Sequence, residues 1–294
     1  MKVHFKGING IKIMKNEPLK KYTSFRIGGN AFYFIKVYNQ RALFAVMKVI
    51  KKHKMRYLIL GEGTNVLFPD KGYNGVIIKL MGSFRKIKNY REMFLCGAGT
   101  TIDDFLNKAM AKGYGGAEFL AGIPGSIGGA VIGNAGAFGH AISEIVERLI
   151  ILDSKLEKRT VPRNEVIFRY RYSNMAEGVI IMAVELKMKK LPQKIIQDKI
   201  KNYLETRWKK QPGDFSAGSF FKNPLPLSAG QLIEECGLKG LRIGDAQVSE
   251  KHANFIINLG QAKAQDVIKL MKIVKARVKK MKGIDLQPEV RIIA

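Results

Sequence analysis

With 294 residues and 46% apolar content, the chain is long enough for two domains, or for one large domain with an appendage. Its 51 lysines and arginines stand against 24 aspartates and glutamates, a net charge of +27 that favours anionic partners, nucleotides and nucleic acids among them. Two cysteines, Cys96 and Cys236, with no CxxC pair, exclude a disulfide framework and suit a reducing compartment as buried apolar fillers.

Residues 1–18 lack the continuous apolar core and small-residue cleavage site of a secretory signal, so a cytoplasmic location is expected. Residues 41–53 carry helical periodicity, and 57–60 (YLIL) form a short apolar strand that runs into Gly61-Glu62-Gly63-Thr64-Asn65. A strand followed by a glycine loop is a ligand-loop pattern. It is not a dinucleotide fingerprint, because Val66 stands where a third glycine belongs and 66–68 continue as strand. A GxxxxGK[ST] phosphate loop is also absent from the sequence. Strands are expected at 75–80 and 94–96, and a helix at 102–112 capped by Thr100 or Thr101.

Residues 122–139 read GIPGSIGGAVIGNAGAFG, uncharged and with seven glycines. The four-residue spacing of Gly125, Gly129 and Gly133 is that of a membrane helix dimer. Pro124 and Asn134 within the run and acidic Glu118 and Glu144 at its flanks oppose insertion. The alternative is a series of glycine turns that brings backbone N–H groups close to a large ligand with a phosphate or a flat ring.

Strand-like pieces follow at 149–152 and 179–188, then a basic helix over 193–210, which Gln211-Pro212-Gly213-Asp214 breaks. The remainder reads as a small α+β domain with a helix at 228–236, a strand at 253–259 and a helix over 264–281. In the last helix Val267, Leu270, Met271, Val274, Val278 and Met281 make an apolar face, and Lys269, Lys272, Lys275 and Lys279 a solvated one.

Three places carry candidate chemistry. Tyr170-Arg171-Tyr172-Ser173 sets an arginine between aromatics, suited to a forked grip on a carboxylate or phosphate, or simply a surface strand arginine. Residues 218–224 (GSFFKNP) combine a hydroxyl, two aromatics, a cation and an amide. Ser219 has no GxSxG elbow, and none of His4, His53, His140 and His252 is identifiable as its base, so a hydrolytic triad is unsupported. Near the C-terminus, Pro288-Glu289-Val290-Arg291 places a carboxylate in a strand-like context. No HExxH motif or cysteine–histidine cluster suggests a metal.

Taken in order, Thr23-Ser24-Phe25-Arg26-Ile27-Gly28-Gly29, the 61–65 loop, the 122–139 run, YRYS, GSFFKNP and the terminal PEVR resemble the UDP-N-acetylenolpyruvoylglucosamine reductases, flavoenzymes of peptidoglycan precursor synthesis. The resemblance spans nearly the whole chain. It implies an α+β fold with a two-part FAD-binding domain of the vanillyl-alcohol-oxidase type, its subdomains at 1–80 and 81–210, and a smaller α+β substrate-binding domain at 211–294. Non-covalent FAD would be held by Arg26, Gly28, Gly61, Gly63, Thr64, Asn65, Ser126, Gly128, Gly129 and Asn134. The resemblance further implies that NADPH reduces FAD and leaves, and that the enolpyruvyl UDP-sugar takes its place and receives the hydride on its methylene carbon. Arg171 and Glu289 match the residues that stabilise the resulting enolate-like charge, and Ser219 the one that protonates the adjacent carbon. Tyr170, Lys222 and Asn223 would bind substrate. No metal, nucleic acid or membrane is implied, and a monomer is expected.

The sequence departs from the family pattern at Thr64, where serine is frequent, and at Glu62, whose carboxylate opposes a diphosphate unless it points away. The stretch between Arg171 and Ser219 is filled by a strand and a helix, so the extra substrate-covering insertion of the longer family branch is absent. The rival readings are another FAD-linked oxidase or dehydrogenase of the same fold, against which Arg171, Ser219 and Glu289 argue together, and a basic nucleic-acid-binding protein, which leaves the glycine-rich stretches unused.

Overall fold

The periodicity of residues 41–53 becomes α1 (Gln40–Lys52), whose face of Ala42, Leu43, Val46, Met47 and Ile50 is buried and whose first turn is capped by Asn39 accepting from the Ala42 N–H at 2.9 Å. The computed structural model describes residues 5–175 and 178–294, so His4 lies outside the described residues. They divide into two units that the chain visits alternately: residues 1–15, 33–62 and 75–206 in the first, and 16–32, 63–74 and 207–294 in the second.

A four-stranded sheet, most of its residues in the first unit with α1, has the order Ile11–Pro18, Asn30–Val37, Tyr73–Leu80, Tyr57–Ile59. The last two strands pair in parallel, Leu58 opposite Ile77, so the chain must cross over between them. A second sheet is antiparallel throughout, in the order Lys158–Pro162, Val146–Leu152, Ile180–Lys187, Met93–Gly97, Ile87–Tyr90. Against it lies α2 (Ile102–Ala111), capped by Thr101, whose hydroxyl accepts from the Asp104 N–H at 3.0 Å. Phe94 and Phe105 meet edge to face at 6.0 Å in a core with Leu149, Val184 and Leu186. Cys96 is wholly buried there, and burial pushes its thiol up to about 12, as befits an inert apolar filler.

The glycine-rich run departs from the expectation of turns alone. Residues Ile127–Ile132 form a short helix, α3, that buries Ile127, Ala130 and Val131. Glycine and proline disfavour helix locally, but the apolar face packs against the strands Met93–Gly97 and Ile180–Lys187, and that tertiary burial outweighs propensity. Among the described residues no helix is long and apolar enough to cross a membrane.

The chain leaves the first unit within α4 (Gln193–Lys210). The second unit has a four-stranded antiparallel sheet in the order Phe215–Ser219, Phe255–Asn258, Ala246–Val248, Arg242–Ile243. Two helices, α5 (Ala229–Glu235) and α6 (Ala264–Lys282), complete its core with Leu232, Ile233, Val267, Leu270, Val274 and Val278. Met281, placed by periodicity on the apolar face of α6, is exposed in its last turn, one residue before the helix ends at Lys282. A two-residue parallel pairing, Arg291 opposite Val66, ties the end of the chain to the segment after the 61–65 loop.

Candidate active site

In the first unit the two sequence motifs that looked separate are joined. The Asn134 side chain, buried at the end of the glycine-rich run, donates to the Arg169 carbonyl at 3.1 Å, and the Ser173 hydroxyl donates to the Ile132 carbonyl at 3.0 Å. Between these anchors, Phe168–Arg169 and Tyr172–Ser173 pair antiparallel, and Tyr170 and Arg171 form the turn of the hairpin. Arg171 is therefore a turn residue and not a strand residue. Its φ is +53°, and its guanidinium lies 5.2 Å from the Tyr170 ring centroid. Arg26 and Asn134, at +54° and +42°, share this backbone region, which side-chain-bearing residues seldom adopt and which concentrates at functional sites.

Ser126 is buried and caps α3, accepting from the Gly129 N–H at 3.2 Å. Gly128 has no room for a side chain, since a Cβ would stand 2.9 Å from that of Ala98. Gly63, at φ +68°, is equally constrained, because a Cβ would run into the Tyr22 carbonyl oxygen within the second unit. At both positions glycine is required by the chain's own packing, a tighter reason than the ligand approach expected from sequence.

Glu62 does not oppose an anion. Its carboxylate is held by Arg85 at 2.7 Å and by Lys79 at 3.2 Å, and Lys79 also donates to the Gly61 carbonyl at 2.7 Å. Burial lowers the Lys79 pKa, while Glu62 acts to raise it. Neither cation was singled out in the sequence, although a lysine inside the apolar strand GVIIKL was a signal available to find one of them. Of the two threonines expected as caps, Thr101 caps α2 and Thr100 does not. The Thr100 hydroxyl is fully buried with no hydrogen-bond partner, and the Thr100 carbonyl accepts from the Ile127 N–H at 2.8 Å.

In the second unit, a register shift between Ser216 and Ser219 interrupts the strand, with Gly218 at φ +78°. Ser219 is half-buried and pairs with Phe255. The residue after it accepts from the Glu289 N–H through the Phe220 carbonyl at 2.8 Å. Asn65 joins the same group, its side chain donating to the Glu289 carbonyl at 3.2 Å and its own carbonyl accepting from the Arg291 N–H at 3.1 Å. The 23–29 segment is fastened to the bulged strand. Ser24 donates to the Ser216 carbonyl at 2.7 Å, the Arg26 guanidinium stacks 3.6 Å from the centre of the Phe215 ring, and Gly28 lies against Phe68. Lys222 is held through its backbone N–H to Gln287, while the Asn223 carboxamide oxygen accepts from the Ala229 N–H at 3.0 Å, at the start of α5. Thr64 is half-buried between Gly63 and Asn65.

The 61–65 loop is suited to an anionic group. The carbonyls of Gly61, Gly63 and Asn65 are occupied by Lys79, Ser24 and Arg291, and the carboxylate of Glu62 is neutralised, so the loop offers a diphosphate little negative charge to repel it. The orphaned Thr100 hydroxyl beside the start of the Ser126 segment is a further polar group with capacity for a ligand.

The known proteins to which the chain is similar agree in one direction. A model described as an FAD binding domain matches residues 33–155, and one described as the C-terminal domain of UDP-N-acetylenolpyruvoylglucosamine reductase matches residues 211–293. The UDP-N-acetylenolpyruvoylglucosamine reductase of Syntrophus aciditrophicus is 38% identical, covering 96% of this chain and 92% of its own length. That of Bacillus licheniformis is 41% identical, over 96% and 94%. The crystal structure of the Thermus caldophilus reductase superposes with a TM-score of 0.84 at 34% identity, over 97% of this chain and 99% of that one.

Proposed function

The chain belongs to the UDP-N-acetylenolpyruvoylglucosamine reductase family, and from that membership we propose how its residues divide the work of the reaction. The protein is an FAD-dependent oxidoreductase that reduces UDP-N-acetylglucosamine enolpyruvate to UDP-N-acetylmuramate with NADPH, in peptidoglycan precursor synthesis. Bound FAD supplies the hydride. Arg26, Gly28, Gly61, Gly63, Thr64, Asn65, Ser126, Gly128, Gly129 and Asn134 hold it without a covalent bond.

Arg171 sets a fixed positive charge against the negative charge that develops beside the enolpyruvyl carboxylate, a contribution typically worth about 10²–10³ in rate. Glu289, as the neutral acid, shares in stabilising that charge by donating its O–H. Ser219 donates its hydroxyl proton to the carbon next to the carboxylate. A serine is a weak acid, but a carbanion-like centre is a strong base, so a positioned hydroxyl suffices. Tyr170, Lys222 and Asn223 bind substrate, Asn223 after yielding one acceptor site to α5. A cytoplasmic location follows from the nucleotide character of both substrates.

The observation that carries this reading is the short backbone path between Ser219 and Glu289, whose N–H is bonded to the residue following the serine at 2.8 Å. Ser219→Ala is expected to leave NADPH bleaching of the bound flavin intact and to slow its reoxidation by the enolpyruvyl substrate by about 10²-fold or more. Equal loss of both half-reactions would remove Ser219 from the proton donor's role.

A further inference from the structure

Asn254 is 3% exposed and spends every polar group of its side chain on one residue of the GSFFKNP segment. Its Nδ2 donates to the Phe221 carbonyl at 2.8 Å, and its Oδ1 accepts from the Phe221 N–H at 2.9 Å. Its backbone carbonyl accepts from the Phe220 N–H at 2.7 Å. The ladder that pairs Ser219 with Phe255 thus continues for two more residues, with a carboxamide standing in for the next peptide group of the partner strand. Phe220 and Phe221 are both about 1% exposed, so water cannot replace these bonds.

The other edge of the same dipeptide carries the second reactive segment. The Phe220 carbonyl accepts from Glu289, Phe221 bridges to Pro288, and the Lys222 N–H donates to the Gln287 carbonyl at 2.8 Å. Ser219 is therefore joined through the chain to the start of a two-residue splint, and Glu289 is bonded across its far edge at the Phe220 carbonyl, while Asn254 holds the near edge. We propose that Asn254 is a positioning residue for the proton-transfer half of the reaction, holding the Ser219 hydroxyl in register with Glu289. The inference rests on the assignment of Ser219 as proton donor.

Asn254→Asp is nearly isosteric but turns the donor facing the Phe221 carbonyl into an acceptor, while Asn254→Gln keeps both groups and displaces them by one methylene. Measured on flavin-loaded protein, so that only folded molecules report, both variants are expected to bleach with NADPH within about twofold of the parent. Reoxidation by the enolpyruvyl substrate is expected to slow by about 10²-fold in Asn254→Asp and less in Asn254→Gln, with a larger solvent deuterium isotope effect as proton transfer becomes limiting. Ser249→Ala is the matched control. Ser249 is equally buried and accepts from the Lys251 and His252 N–H groups, so its loss should lower the melting temperature and leave the ratio of the two half-reactions unchanged. Reoxidation near the parent rate, a parallel fall of both half-reactions, or failure of both variants to retain flavin would each overturn the proposal. Ser219→Ala run alongside separates the two ideas. If it slows reoxidation and Asn254→Asp does not, only the positioning role fails; if it slows nothing, the proton-donor assignment fails and takes this inference with it.

Discussion

At Glu62 a carboxylate sits in the glycine loop proposed to face a diphosphate, and two cations decide its effect. Lys79 is buried and bridges the Glu62 carboxylate and the Gly61 carbonyl. Replacing it with methionine strands a partly buried carboxylate with Arg85 alone and frees a loop carbonyl. Lys79→Met is expected to weaken FAD binding to the apoprotein by about tenfold, read from quenching of flavin fluorescence, and Lys79→Arg to recover part of it. An unchanged affinity would show that the cluster supports only the fold. His252 offers a second test at this scale. Burial lowers its pKa below the usual value, and its Nδ1 accepts from the Asn254 N–H at 3.2 Å, so the folded protein holds the ring neutral. The unfolded chain takes up a proton near pH 6.5 that the folded chain refuses until lower pH. Stability from this group is thus intact above about pH 6.5 and lost as pH falls below it. Thermal melts from about pH 7.5 to about pH 5 should fall more steeply for the parent than for His252→Gln, and parallel curves would refute the assignment.

Among the elements, α6 shows how much of the fold was legible. Val267, Leu270, Val274 and Val278 recur at helical spacing, and all four are buried, so the pattern alone located the helix. What holds its first turn was not legible. Asp70 accepts from the Ala264 N–H at 2.8 Å and from the Gln265 N–H at 3.1 Å across 194 and 195 positions of sequence, and no local rule reports such a cap. Asp70→Ala should cost about 1 kcal/mol, seen as a lower melting temperature, and Asp70→Asn should restore much of it. The strand Ile11–Pro18 escaped notice because its lysines and terminal proline blur the alternation, and α3 because glycine and proline argue locally against a helix that tertiary packing supports. The site divides along the same line. Arg171, Ser219 and Glu289, the proposed reactive residues, were singled out by the family resemblance of the compact motifs that hold them and not by their residue types. The hairpin turn at Arg171, the bulge before Ser219 and the Asn254 clamp are backbone geometries set by distant partners.

For the molecule as a whole, the charge of +27 is complementary to the substrates, because NADPH and the UDP-sugar are both anions. Lys269, Lys272 and Lys279 are exposed on α6, as a solvated face requires, and contribute to a long-range field. Raising ionic strength from about 0.05 to about 0.5 M should lower kcat/KM for both substrates severalfold and leave kcat nearly unchanged, since screening acts on encounter. A fall confined to kcat would exclude steering. The central claim is tested most directly by following flavin absorbance in the parent protein without oxygen. The protein reconstituted with FAD should bleach on addition of NADPH and recover its colour on addition of one equivalent of UDP-N-acetylglucosamine enolpyruvate. Protein that gains no flavin absorbance with FAD, or reduced flavin that the enolpyruvyl substrate does not reoxidise, would contradict it.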